Sequence, residues 1–136
     1  MTSATWAMQR SVYAALIANQ TLNGLLGGQR VFDHVPRNTA LPYITFGPSS
    51  ERDWSTSDDV AQELQLSLHV WTEAKGRRLA EEIMTIIRSV LHDQTLLVSG
   101  FRLVNLRHEN SSLNRVSDGG TLQGIVRLRA VLESTA

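Results

Sequence analysis

Four histidines, thirteen acidic side chains and a spread of serines and threonines are the groups in this chain able to do chemistry. Their spacing builds no catalytic or metal centre. His34, His69, His92 and His108 stand apart, and none has a second histidine or a carboxylate partner at a metal-binding spacing such as HExxH. Asp33 and His34 are adjacent, but neighbours in an extended segment point to opposite sides. No G-x-S-x-G elbow presents a serine nucleophile. Gly27-Gly28 lacks the lysine of a phosphate loop and the third glycine of a dinucleotide fingerprint. The acidic doublets Asp58-Asp59 and Glu81-Glu82 fall in a polar loop and on a wet helix face, whereas acid–base pairs need burial or enforced proximity. Without cysteine there is no thiolate or disulfide chemistry. The expectation is no catalytic residue, no metal, no cofactor and no enzymatic activity.

Charge gives the next constraint. Lysine and arginine balance aspartate and glutamate at thirteen each, so the formal net charge is zero. A dedicated nucleic-acid binder normally carries a basic excess. A neutral chain with 19% charged residues gains little solubility from self-repulsion and suits a subunit that hides surface in an assembly. Twelve of the thirteen basic residues are arginine, which is favoured at interfaces for its planar fork; a GC-rich gene yields the same usage. Arg102, Arg107, Arg115, Arg127 and Arg129 crowd the C-terminal third beside Glu109, Asp118 and Glu133. No aromatic residues interleave there to stack bases, so ion pairs to a neighbouring subunit explain the cluster at least as well as phosphate contacts.

The elements that would position these groups read as helix, short strand, strand, helix, strand, strand in one domain spanning residues 1–136. Met8, Val12, Leu16 and Ile17 repeat at helical spacing and predict a helix over residues 5–22, capped by Thr2 or Ser3 and closed by Asn23-Gly24 and Gly27-Gly28. Residues 30–33 form a short extended piece, Pro36 and Pro42 bracket a loop, and Tyr43-Ile44-Thr45-Phe46 is a strand. Residues 62–71 alternate cleanly: Leu64, Leu66, Leu68 and Val70 face one way, and Glu63, Gln65, Ser67, His69 and Trp71 the other. Residues 75–92 are the second helix, with a stripe of Leu79, Ile83, Ile86, Ile87, Val90 and Leu91 and wet-side pairs Arg77/Glu81 and Arg78/Glu82. Residues 101–109 and 122–132 form a long C-terminal β-hairpin turning at Ser117-Asp118-Gly119-Gly120. The fold class is α+β: a mainly antiparallel sheet of about four strands with two helices on one face. No apolar run approaches about 18 residues and no secretory signal opens the chain, so no membrane span is expected and synthesis is expected in the cytoplasm of whatever cell makes it.

Three regions are candidates for partner contact. The polar stretch 49–59 holds Arg52, Asp53, Trp54, Asp58 and Asp59, and its tryptophan is either folded back on the body or waiting for a partner. The sheet face away from the helices carries His69, Trp71, Arg127 and Arg129, an association surface or a solvated face. The hairpin tip 110–120, with Asn114, Arg115 and Asp118, reads as an arm projecting beyond the core or as a surface loop.

The ordered segments GQRVFDHVPRNTALPYITFG (28–47), LQLSLHVW (64–71) and GIVRLRA (124–130) resemble the tail-terminator, or tail-completion, proteins of long-tailed phages and phage-like gene transfer agents. The resemblance runs through nearly the whole chain. It implies a virion structural protein at the head–tail junction that forms a homohexameric ring. Such a ring caps the head-proximal end of the tail tube, stops addition of the major tail tube protein and docks a head-side connector or stopper protein. DNA passes through its central channel without sequence-specific binding. The family offers no catalytic residues, and its recurring positions, here Pro36, Pro42, Tyr43 and Gly47, look structural. Two alternatives stay open on the residues alone: another neck protein, such as a stopper or head-completion subunit, or a small-molecule binding or enzymatic α+β domain.

Overall fold

The computed structural model describes residues 3–135. Ser3 caps the first helix, α1 (Ala4–Ile17), its side chain accepting the Trp6 N–H at 3.0 Å. Thr2, the other expected cap, lies outside the described residues. The helix ends sooner than its apolar spacing predicts. Asn19 leaves the helical region and its Oδ1 accepts from Leu22 N, starting a separate helix α2 (Gln20–Leu26). That side chain offers the backbone a local bond that competes with helix continuation. Gly27, left-handed at φ 82°, closes α2. There are therefore three helices among the described residues, with α3 (Arg77–Leu91) the last. The buried seam of α3 is Ala80, Ile83, Met84, Ile87 and Leu91, with Leu79, Ile86 and Val90 partly buried beside it. Of its two expected surface pairs, Arg78–Glu82 closes at 3.0 Å, and the described ion pairs do not include Arg77–Glu81.

Six strands form the sheet: β1 (Val31–Phe32), β2 (Tyr43–Phe46), β3 (Ser50–Asp53), β4 (Ala61–Glu73), β5 (Phe101–Arg115) and β6 (Thr121–Ser134). The order is β1-β2-β4-β6-β5, and β3 pairs with β4. All pairings are antiparallel except β1–β2, which is parallel, so the sheet is mixed and larger than the four strands expected. Two polar stretches also depart from expectation. Ser50–Asp53, expected in the 49–59 loop, is a strand in register with Gln62–Gln65, leaving only residues 54–60 as loop. Residues 110–115, expected at a projecting tip, continue β5 against Leu122–Arg127, and the turn spans only 116–120. In both cases a partner strand supplies the hydrogen bonds, so polar composition does not prevent pairing.

β4 is the hub. One edge pairs with β6 from Ala61–Glu133 to Glu73–Thr121, and the other carries β2 and β3 end to end. The chain bulges between them at residues 47–49, where Gly47 N donates to Ser67 O at 2.9 Å. Leu64, Leu66, Leu68 and Val70 of β4 and Val126, Leu128, Ala130 and Leu132 of β6 form one apolar face under α1 and α3. Full burial of each leucine or valine there contributes roughly 1.5–3 kcal/mol. The helices cover this face only, which leaves the opposite face of β3, β4, β5 and β6 open.

Candidate interface on the open sheet face

The open face is organised around Glu63, which is only 5% exposed. Its Oε1 accepts from Arg52 Nε and its Oε2 from Arg129 Nε, both at 2.6 Å. The hydrogen bond from Arg129 leads, and that from Arg52 adds to it, in holding the carboxyl below its ordinary value against the opposing effect of burial. The same two guanidiniums flank Trp54, at 4.8 Å and 5.4 Å from its ring. Trp54 is therefore folded back onto the sheet, while 44% of it stays exposed. Two predicted site residues, Arg52 and Trp54, thus meet a third, Arg129, through a glutamate that the strand alternation places on this face but that was not among the expected contact residues. The period-2 row containing Glu63 and the two arginines opposite is the signal that would have found it.

Asp53 goes elsewhere. It pairs in register with Gln62, on the opposite side of the strand from Arg52, and its Oδ1 accepts from Ser55 N at 2.9 Å. The bonds from Ser55 hold this carboxyl below its ordinary value. Its observed contacts shape the entry to the 54–60 loop. Beyond it, Thr56 N donates to Asp59 O, and Thr56 Oγ1 accepts from Asp59 N at 3.1 Å. The loop tip is thereby pre-folded, and the exposed Asp58 and Asp59 carboxylates take part in no ion pair among the described residues.

Further along the face His69 and Trp71 pack edge to face at 5.9 Å. Trp71 Nε1 donates to Thr45 Oγ1 at 3.0 Å, and His69 Nδ1 lies 3.2 Å from Gln123 Nε2. Burial first, and the Arg127 charge second, hold the His69 imidazole below its ordinary value. Pro48, Ser50, Gln65, Ser67, His69 and Arg127 frame an open groove of about 410 Å³. Arg127 Nη1 donates to Asn110 Oδ1 at 3.0 Å.

The third predicted group sits at the other end of the strands. Asn114 pairs in register with Gln123 and Arg115 with Leu122, so the two side chains belong to opposite faces. Asp118 is spent on the turn, accepting from Gly120 N at 2.8 Å and from Thr121 Oγ1 at 3.3 Å. The structure thus joins Arg52, Trp54 and Arg129 at one end of the open face, sets His69, Trp71 and Arg127 further along it with Asn114 in the Trp71 row across Gln123, and leaves Arg115 on the other face and Asp118 in the turn. No three histidine, aspartate or glutamate side chains among the described residues converge as a metal site. No described helix is long and apolar enough to cross a membrane.

A helix-backed sheet with one open, arginine-rich face and an ordered acidic loop defines a small α+β protein suited to association. The chain belongs to the tail completion protein gp17 family, whose model matches residues 10–133. This is a family of virion structural proteins of the tail, not an enzyme family. The chain is 22% identical over 131 residues to the tail completion protein gp17 of Bacillus phage SPP1, covering 96% of both chains. Among solved structures it is similar to a chain from the virion of a native gene transfer agent particle. That match has a TM-score of 0.90 and 27% identity, and covers 98% of this chain and 100% of the other.

Proposed function

We propose that the protein is a tail terminator: a single-domain subunit that joins copies of itself into a ring, six by family resemblance. The ring caps the head-proximal end of the tail tube, stops further addition of the major tail tube protein and gives the head-side connector its docking surface. DNA passes through the channel without being read. The observation that carries this reading is the family match over residues 10–133. The end-to-end likeness to a gene transfer agent virion chain supports it. So does a sheet covered on one face only, with β5 and β1 as its outermost strands. Such edges and faces are surfaces that an assembly covers.

The contact residues in this reading are Arg52, Trp54, Asp58 and Asp59 at one end of β4, His69, Trp71, Arg127 and Arg129 on the open face, and Asn114, Arg115 and Asp118 at the far end. Ring closure needs two different surfaces on each subunit, related by a rotation.

Electron microscopy of tubes grown from the cognate major tail tube protein tests the function. With this protein present, tubes should stop growing at one end and carry a ring there. Tubes that lengthen equally in its presence, with bare ends, overturn the terminator role.

A further inference from the structure

The ion pairs of the open face leave one arginine over. Glu63 bridges Arg52 and Arg129, Glu133 takes Arg102 at 2.6 Å, and Asp93 takes Arg107 at 3.6 Å. Arg127 has no carboxylate partner among the described residues. Its one side-chain bond is to the neutral Asn110, and it stands on the wall of the groove over Ser67. The groove's other polar walls, Ser49, Ser50, Gln65, Ser67 and His69, include no carboxylate, so nothing within it neutralises the guanidinium.

The complementary charge is at the tip of the 54–60 loop. Asp58 and Asp59 are exposed and free of ion pairs among the described residues. The backbone that carries them is fixed by the Thr56 bonds and by Trp54 clasped between Arg52 and Arg129. A contact made by a tip already ordered costs little conformational entropy. The tip cannot reach its own groove. It lies beyond Ala61, and Ala61 is separated from Ser67 by about 20 Å of extended strand. The acidic tip and the basic groove are therefore two different surfaces on one chain, as a head-to-tail ring requires.

We infer that the occupant of the Arg127 groove is a second copy of this chain, whose Asp58–Asp59 tip docks there to form the subunit–subunit contact of the ring. The inference rests on the ring reading above and names its electrostatic contact. Opposite charge across the interface sets register and rejects like-charged juxtapositions. Because the groove is open to solvent, the contact weakens with salt, over a screening length of about 8 Å at physiological strength.

The test uses two charge reversals, Arg127→Glu and the double variant Asp58→Lys/Asp59→Lys, as full-length chains with the cognate tail tube protein. Ring formation is followed by light scattering and microscopy, and folding by circular dichroism. Each variant alone places like charges in every interface, and its assembly midpoint should rise at least about tenfold. An equimolar mixture should restore rings. There the reversed tip of one variant meets the reversed groove of the other in one interface, and the native tip meets the native groove in the next. Variants that ring as well as the native chain, or a mixture that stays as defective as its parts, overturn the contact while leaving the ring standing. A native chain that forms no ring, alone or with tubes, overturns both.

Discussion

His69 lies against Gly47, so that a methyl group on Gly47 would fall 2.5 Å from Ser67 Oγ and closer still to His69 Nε2. The bulge between β2 and β3 is thus shaped by the absence of a side chain, and the imidazole fills the space. Gly47→Ala should cost roughly 1–3 kcal/mol, the usual range for overpacking. Combining it with His69→Ala should cost less than the sum of the two single changes. Urea denaturation of the four chains measures the coupling, and additive costs would show that the contact is unimportant.

Glu63 makes stability depend on acid. Its folded pKa lies below the ordinary 4.5, so its contribution is complete above that value and is lost as pH falls through the folded pKa. Glu63→Gln should lower the melting temperature at pH 7, and the gap to the native chain should narrow steadily below pH 4.5. Melting curves from pH 7 to pH 3 check this. A gap of constant width would mean that the carboxylate charge is not what the arginines hold.

Arg127 and His69 are linked electrostatically. The imidazole is lowered from 6.5, so the folded state resists its protonation and stability falls as pH drops below 6.5 toward the folded value. Arg127→Gln removes the second cause and leaves burial in place. The His69 titration midpoint should move up while remaining under 6.5. Histidine ring chemical shifts followed by NMR report it directly, and an unmoved midpoint would remove Arg127 from the account.

The loop tip should be separable from the fold. Replacing residues 56–59 by Gly-Gly keeps β3 paired, so melting should change by less than about 3 °C. Ring formation should nevertheless be lost. Removing residues 49–59 takes away the β3 ladder and should lower melting by more than about 10 °C. If both deletions were equally destabilising, the boundary between framework and contact element would be misplaced.

Asn19 divides α1 from α2. Asn19→Ala removes the acceptor for Leu22 N and should cost about 0.5–2 kcal/mol, while Asn19→Asp should be nearly neutral. Chemical denaturation distinguishes the two.

What could be read in advance follows from how local each cause is. β4 and α3 announce themselves because their burial repeats at periods of two and of about three and a half, and nothing else along those stretches competes. The boundary at Asn19 is hidden because apolar residues continue on both sides and one side-chain bond makes the break. Ser50–Asp53 and the end of β5 are hidden for the opposite reason. They are polar, and only strands far along the chain, β4 and β6, make them extended. The open face was legible as a row of residues, but its centre was not. Glu63 gains its role from Arg52 on β3 and Arg129 on β6, a meeting that depends on register and not on proximity in sequence.

The register of β4 also has a consequence for how the subunit comes into being. Its first residue pairs with Glu133 and its last with Thr121, so the middle strand of the sheet waits for the final one to be synthesised. Pairings between distant segments form slowly, because the intervening chain must be ordered first. A ribosome still translating α3 holds a polypeptide with half of its central ladder missing. A truncated chain lacking β6 would leave one whole edge of β4 without its partner, and an unpaired edge of that length invites pairing with other chains.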